Sequence, residues 1–299
     1  MTDQPSALPS VALPSVALLG TGIMGAGMGR SMLRAGLPVH AWNRTRSAAR
    51  ALESAGAVVA ADPADAVRDA DVIVTMLSDG DAVSQTMAAA APGLREGQAW
   101  AQASTVGVAS LEQLAGFASS RGLLFVDCPV LGTRQPAEQG ALTVLAAGPD
   151  AASGAVQPVF DAIGQKTLWL GAEAGTASRL KLVVNSWVVA MTTGAAEALA
   201  LAKGLGIDPR LFLQTVAGGA LDSGYLQAKG SAILAGDFAP SFTVAMAGKD
   251  ARLITEAAGL AGIRLDVAPA VAERFRRAAE LGHADEDMAA TYFASFDGG

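Results

Sequence analysis

With 299 residues the chain is long enough to bury a sizeable core in two domains. Only 16% of its residues are charged, against roughly 25% in an average globular chain, and 51% are hydrophobic, which points to extra buried area such as a subunit interface. A formal net charge of −7 argues against nucleic acid or an anionic membrane as partner, one cysteine (Cys128) excludes an intrachain disulfide, and two histidines (His40, His283) give no zinc-like cluster, so no metal is expected.

Residues 1–14, rich in Pro, Ser and Ala, lack the positive flank and long apolar run of a secretory signal. They read as a disordered leader, and a cytoplasmic location is the default. The apolar strand SVALLG (15–20) then runs into GTGIMG. From Ile23 to Ala35 the spacing is helical, with Ile23, Met24, Met28 and Met32 or Leu33 recurring at three- or four-residue steps. A second strand, PVHAW (38–42), follows. The glycines thus sit at a strand-to-helix turn, where Gly20 permits the tight turn, Gly22 lets the backbone approach a pyrophosphate, and Gly25 lets the helix pack on the strand. This is a dinucleotide-binding fingerprint in its proper context. The tip of the second strand, where NAD enzymes offer a carboxylate to the ribose 2′-hydroxyl, is Asn43-Arg44-Thr45. Amide, guanidinium and hydroxyl all donate to a phosphate, so NADP is expected. The competing reading makes Arg44 and Arg46 solvated side chains of a polar turn.

Further apolar runs follow: AVVA (57–60), DVIVTML (71–77), AWAQAST (99–105), LLFVDCPV (123–130), ALTVLAAG (141–148) and KTLWLG (166–171). Helical segments between several of them predict an α/β class, a Rossmann-like doubly wound, mostly parallel sheet with ligands beyond the carboxyl ends of the strands. Ser104-Thr105 and Asp127 to Gly132 lie at two such ends. Thr176 to Lys203 has no proline and is rich in Ala, Leu and Val, so it reads as one long helix. The expected domains are NADP-binding over 15–173 and a helical substrate and dimerisation domain over 174–299. Residues 182–202 are apolar enough to raise a membrane span, but Asn185, Ser186, Thr192, Thr193 and Glu197 interrupt them and no basic flank follows. A helix buried in a core or between subunits is expected instead. Residues 204–299 alternate helical patterns with turns such as GIDP and GDFAPS.

Within the long helix Ser178, Lys181 and Asn185 share one face. If that face points at a nicotinamide, a protonated Lys181 can give a proton to a carbonyl oxygen while hydride reaches the carbon. Asn185 can then hold the ammonium or the substrate. Spacing alone favours an ordinary surface Lys-Asn pair.

GTGIMG, Asn43-Arg44-Thr45, Ser104-Thr105, Asp127-Cys128-Pro129-Val130-Leu131-Gly132, Gly175 to Lys181 with Asn185, and Lys249-Asp250 occur in the order and spacing of the β-hydroxyacid dehydrogenase family, which the chain resembles from about Ser15 to Phe296. The stretch Gly132 to Glu138 and the late Asp285-Glu286-Asp287 look most like its glyoxylate and succinic semialdehyde reductases, with 3-hydroxyisobutyrate dehydrogenase a close second. The resemblance implies that Lys181 is the catalytic acid/base and Asn185 its neighbour. It implies that Thr105, Leu131, Gly132, Thr133, Phe242 and Asp250 surround the substrate. It extends the cofactor contacts to Ile23, Met24, Met76, Leu77, Thr105 and Lys249. Each has a bland alternative: Thr105 a strand end, Gly132 a turn glycine, Phe242 a core residue, Lys249-Asp250 a solvated helix face.

Two positions depart from the family pattern. Relatives usually carry Ser-Gly-Gly or Ser-Gly-Ser after Pro-Val, where hydroxyl and amides bind the substrate carboxylate, and this chain has Leu131-Gly132-Thr133. Either the Gly132 and Thr133 amides or the Thr133 hydroxyl compensate, or the substrate is bulkier and less charged. Ser78 stands where relatives more often have Pro, and no role is expected for it. The resulting expectation is an NADPH-dependent reductase of short aldehyde acids, reversible as a hydroxyacid dehydrogenase, assembled as a homodimer or homotetramer through the long helix. An imine reductase and a non-catalytic NADP-binding module are the alternatives.

Overall fold

The structure, a computed structural model, describes residues 13–296. Nearly all of the expected leader therefore lies outside the described residues. Six strands, β1 (Val16–Leu19), β2 (Val39–Trp42), β3 (Val58–Val59), β4 (Val72–Thr75), β5 (Ala99–Gln102) and β6 (Leu124–Asp127), form one parallel sheet in the order β3-β2-β1-β4-β5-β6. Helices α1 (Ile23–Arg34), α2 (Arg46–Arg50), α3 (Pro63–Val67), α4 (Gly80–Ala90) and α5 (Val108–Ser120) connect them. The central strand shows why the sheet must be covered twice. All four residues of β1 are buried, Val16 and Leu18 in one apolar cluster with Met28 and Met32 of α1, Ala17 and Leu19 in another with Val83, Met87 and Leu114 of α4 and α5.

The last apolar runs do not extend this sheet. The run 123–130 breaks at Cys128-Pro129, and β7 (Val130–Leu131) pairs antiparallel with β8 (Leu142–Ala146), which pairs parallel with β9 (Gly164–Trp169), in a separate three-stranded sheet. Helices α6 (Arg134–Gln139) and α7 (Asp150–Ile163) fill its connections.

The long helix α8 (Thr176–Gly204) then opens an all-helical half with α9 (Arg210–Val216), α10 (Gly224–Ala235), α11 (Val244–Leu260) and α12 (Val267–Ala278). Its core gathers Leu182 and Val189 of α8, Ala247, Ala251 and Ile254 of α11, and Val271 and Phe275 of α12. By length and composition α8 could cross a membrane, yet it buries polar Ser178, Asn185, Thr192 and Thr193 against the protein. Val183, Trp187 and Leu201, with Leu205 just past the helix end, form an apolar stripe on its opposite side, each more than 60% exposed.

Candidate active site

The glycine turn meets the geometric demands its sequence raises. Gly20 has φ +104°, and a Cβ there would lie 2.2 Å from the Met76 carbonyl oxygen and within contact of Leu77, so Met76 and Leu77 form the wall beside it. A Cβ on Gly25 would lie 2.0 Å from Gly20 O. At Gly22, by contrast, no protein atom comes within 4 Å of an added Cβ. This open cradle faces the start of α1, which has no side-chain cap and no acidic residue in its first turn. Thr21 Oγ1, buried in the same turn, has no hydrogen-bond partner among the described residues. Uncapped amides, an orphaned hydroxyl and free space fit a dinucleotide pyrophosphate. Ile23 stays partly exposed at the mouth, while Met24 packs on the sheet core.

At the β2 tip the three expected donors divide their work. Asn43 Oδ1 accepts from Thr21 N at 3.1 Å and its Nδ2 donates to Thr45 O at 3.1 Å, so the amide fastens the glycine turn to the β2–α2 corner instead of facing a ligand. Arg44 is exposed and forms no salt bridge among the described residues. It remains available for an anion.

The second part of the cleft is assembled from distant segments. Lys181 is half-buried and donates from Nζ to Val130 O at 2.8 Å. Desolvation lowers its pKa to about 8, with the Asp250 carboxylate pulling it up and the Lys249 ammonium pushing it down. Asn185, one turn along, donates to Asp250 Oδ2 at 2.5 Å, so it orients the carboxylate and not the Lys181 ammonium. Lys249 Nζ lies 3.0 Å from Asp250 Oδ1, but off the direction of a hydrogen bond. Its good hydrogen bonds, both 2.8 Å, go to Ser78 O and Thr105 O, the loops after β4 and β5. Lys249-Asp250 is therefore a largely buried link between the two halves and not a solvated helix face. The residue given no role in sequence, Ser78, contributes through its carbonyl.

Two expected members sit differently from the simplest reading. Ser178 turns away from the Lys181–Asn185 face and bonds Asp127. Leu131 packs its side chain with Leu145, Ala147, Ala177 and Leu180, between the small sheet and α8. Gly132, at φ +129°, is exposed next to it, and Thr133 begins α6 with its hydroxyl making no cap hydrogen bond. Phe242 packs on the core of the helical half just before α11. The sequence places Ser104 at a strand end and in the family pattern, with no role of its own. Its hydroxyl receives Leu77 N at 2.9 Å and donates to Thr75 O at 3.2 Å, which shapes the wall of the glycine turn. Chemically, the molecule offers one ammonium whose pKa is lowered to about 8, a second ammonium, one buried carboxylate and a phosphate cradle, a set suited to proton transfer beside a bound dinucleotide.

Comparison with known proteins gives the family. Residues 15–171 match the family model of the NAD binding domain of 6-phosphogluconate dehydrogenase, and residues 175–294 match that of the NAD-binding of NADP-dependent 3-hydroxyisobutyrate dehydrogenase. The chain is 30% identical over 266 residues to the chloroplastic glyoxylate/succinic semialdehyde reductase 2 of Arabidopsis thaliana, covering 88% of this chain and 74% of that one. Among solved structures it is similar to a 3-hydroxyisobutyrate dehydrogenase from Salmonella typhimurium, with TM-score 0.85, 28% identity, and 93% and 98% of the two chains covered. An imine reductase from Pseudomonas sp. shares the fold at TM-score 0.65 and 22% identity, covering 95% and 100% of the two chains. The chain belongs to the β-hydroxyacid dehydrogenase family of NAD(P)-dependent oxidoreductases.

Proposed function

We propose that this member of the β-hydroxyacid dehydrogenase family is an NADPH-dependent reductase of short aldehyde acids of the glyoxylate or succinic semialdehyde type, with Lys181 as the proton donor. The observation that carries this reading is the lysine itself, held on Val130 O beside buried Asp250 with its pKa brought down to about 8. A bound NADPH would supply the hydride. Lys181 keeps its proton on Nζ at neutral pH and can release it to a carbonyl oxygen, as a general acid matched to working pH does. The Lys249 ammonium is shared between the Asp250 and Asp79 carboxylates, while the Lys181 ammonium, resting on a neutral carbonyl, offers a positive group to an anionic substrate. Similarity to the Arabidopsis reductase supports the aldehyde acid class.

Preference for NADP rests on Arg44, exposed and unpaired at the β2 tip, where a 2′-phosphate would meet a guanidinium and no carboxylate. The apolar stripe of α8 supports a homodimer or homotetramer, because solvent-facing Trp187 at 66% and Val183 at 65% exposure form an unfavourable surface for a lone subunit. Light scattering of the purified chain tests that assembly, and a monomer at micromolar concentration would refute it.

The function is tested by NADPH oxidation against glyoxylate, succinic semialdehyde, methylmalonate semialdehyde, an uncharged aldehyde and a cyclic imine, with Lys181→Ala alongside. Preferred turnover of an aldehyde acid, falling by roughly 10²–10⁴ in the variant, is the expected result. Turnover confined to the uncharged aldehyde or the imine would overturn the substrate class. NADPH binding with no turnover of any of them would make the chain a binding module.

A further inference from the structure

The first turn of the long helix is held by a carboxylate from the other half of the molecule. Asp127 ends β6 fully buried, and among the described residues its carboxylate bonds only α8 and the residue before it. Oδ2 accepts from Gly175 N at 2.9 Å and from Ser178 N at 2.8 Å, and Oδ1 accepts from Ser178 Oγ at 2.6 Å. Gly175 itself offers the helix no side-chain cap and enters it at φ +103°. Asp127 thus satisfies the orphan amides of α8 and puts a negative group at the positive end of its dipole.

Three residues past Asp127, the same segment presents Val130 O, which receives the Lys181 ammonium. The backbone between these two anchors is pinned on both sides. Asp127 exchanges hydrogen bonds with Ala147, Cys128 N donates to Gln102 O, Leu145 N donates to Pro129 O, and Val130 pairs with Val144. Ser178 and Lys181 lie three residues apart, within one turn of α8. The lysine is therefore fixed at its root through Asp127 and at its head through Val130 O, both from one rigid segment.

A capping role alone does not call for this residue. Burial pushes the Asp127 carboxyl above its usual range, against the Ser178 and Gly175 hydrogen bonds and nearby Arg179, so the group is kept at a cost that a neutral cap would avoid. A carboxylate has two acceptor oxygens, which here take three donors from two directions and set both the depth and the rotation of α8. An asparagine of the same shape brings a donor NH₂ to face donors.

We propose that Asp127 is a positioning residue for Lys181: by clamping Gly175 and Ser178 it seats the start of α8 so that the lysine head group rests on Val130 O beside Asp250. This inference rests on the reading of Lys181 as the proton donor. The test compares Asp127→Asn, Ser178→Ala and Lys181→Ala in the full-length enzyme, reading NADPH affinity, kcat per NADPH-binding site, and the alkaline limb of kcat/KM. Asp127→Asn should bind NADPH as the parent does and lose about 10² in kcat, the cost expected of a misplacement of about 1 Å. Its alkaline limb should move up from the parent position near 8 as the ammonium becomes better solvated. Ser178→Ala, which keeps the carboxylate and both amide bonds, should shift both quantities in the same direction by less, and it decides the matter if Asp127→Asn does not fold. A merely structural Asp127 would lower the number of NADPH-binding sites and leave both kcat per site and the limb in place. That result, with Lys181→Ala inactive, overturns the positioning role alone. Full turnover by Lys181→Ala overturns the parent reading and this one with it.

Discussion

The two sides of the cleft are built by opposite means. The glycine turn is compact: within six residues, from Gly20 to Gly25, each of the three glycines is needed for its missing side chain, and no ionisable group takes part. The lysine side is made by tertiary contacts. Lys181 meets Val130 across 51 residues, Asn185 meets Asp250 across 65, and Lys249 reaches Ser78 across 171. The first side depends on space, which a single methyl removes. The second depends on the balance of buried charges, which a single substitution shifts by degrees. The two should therefore fail differently, one abruptly and in stability, the other gradually and in pH dependence.

The largest effect is expected at Gly25→Ala. Its methyl would stand 2.0 Å from Gly20 O, backbone against backbone, where nothing can swing aside. A loss of about 3 kcal/mol or more is expected, read as a fall in the thermal midpoint together with loss of NADPH binding. Gly22→Ala is the control that sharpens the contrast. No protein atom lies within 4 Å of its methyl, and its φ of −69° suits alanine, so the melting temperature should hold while NADPH binding weakens by about tenfold, or ~1.4 kcal/mol. Should Gly22→Ala melt early and bind normally, the open space there is not the cofactor cradle.

Arg44→Ala comes next. The side chain is exposed and unpaired, so its loss should leave the fold untouched. NADPH affinity should drop by roughly tenfold with NADH affinity unchanged, the signature of a charge-assisted contact to the 2′-phosphate. Equal losses for both dinucleotides would mean that the guanidinium contacts something common to them.

The charge balance is probed by pH. Reduction needs the Lys181 ammonium, whose pKa is lowered to about 8, so kcat/KM for reduction should be full below that pH and fall above it. Oxidation of the hydroxyacid needs the neutral amine and should rise through the same pH. Asp250 opposes the desolvation that depresses this lysine. Asp250→Asn keeps the shape and a partner for Asn185 but removes the charge, so the limb should move down, by up to about one unit. Movement upward would show that Asp250 does not stabilise the ammonium.

How much was legible in the sequence follows the same division. The glycine turn, its flanking strands and the long helix could be read because periodicity and glycine sterics act over a few residues; the helix expected from Thr176 to Lys203 runs Thr176–Gly204. The role of Lys181 could not be read from spacing, since a lysine and an asparagine four apart look the same on any helix, and the partners that matter lie in other segments. It came from the family resemblance. Ser78 stands out in the sequence as a departure from the family pattern, but its role does not, because its contribution is a backbone carbonyl, which no side-chain pattern reports. Asp127 was visible as a strand end and Ser178 as a member of the lysine face. Their mutual bond became visible only once β6 and the start of α8 were brought together. Likewise the apolar runs at 141–148 and 166–171 announce strands but not which sheet they join. The break at Cys128-Pro129 and the antiparallel pairing of β7 with β8 decide that.

Leu131→Ser carries the smallest expected effect on catalysis and tests where the two regions meet. The leucine stands where relatives carry serine, and a leucine beside a substrate carboxylate would leave that charge poorly compensated. Its side chain instead packs with Leu145, Ala147, Ala177 and Leu180, bracing the small sheet against the first turns of α8. Serine there should cost about 1–2 kcal/mol of stability through lost apolar burial. KM for an aldehyde acid relative to an uncharged aldehyde should hardly move, because the groups offered to a carboxylate at this corner are the Gly132 and Thr133 amides and the uncapped Thr133 hydroxyl. A serine variant with unchanged melting temperature and a sharply lower KM for the aldehyde acid would put this side chain in the pocket, and the apolar brace would then be part of the substrate site.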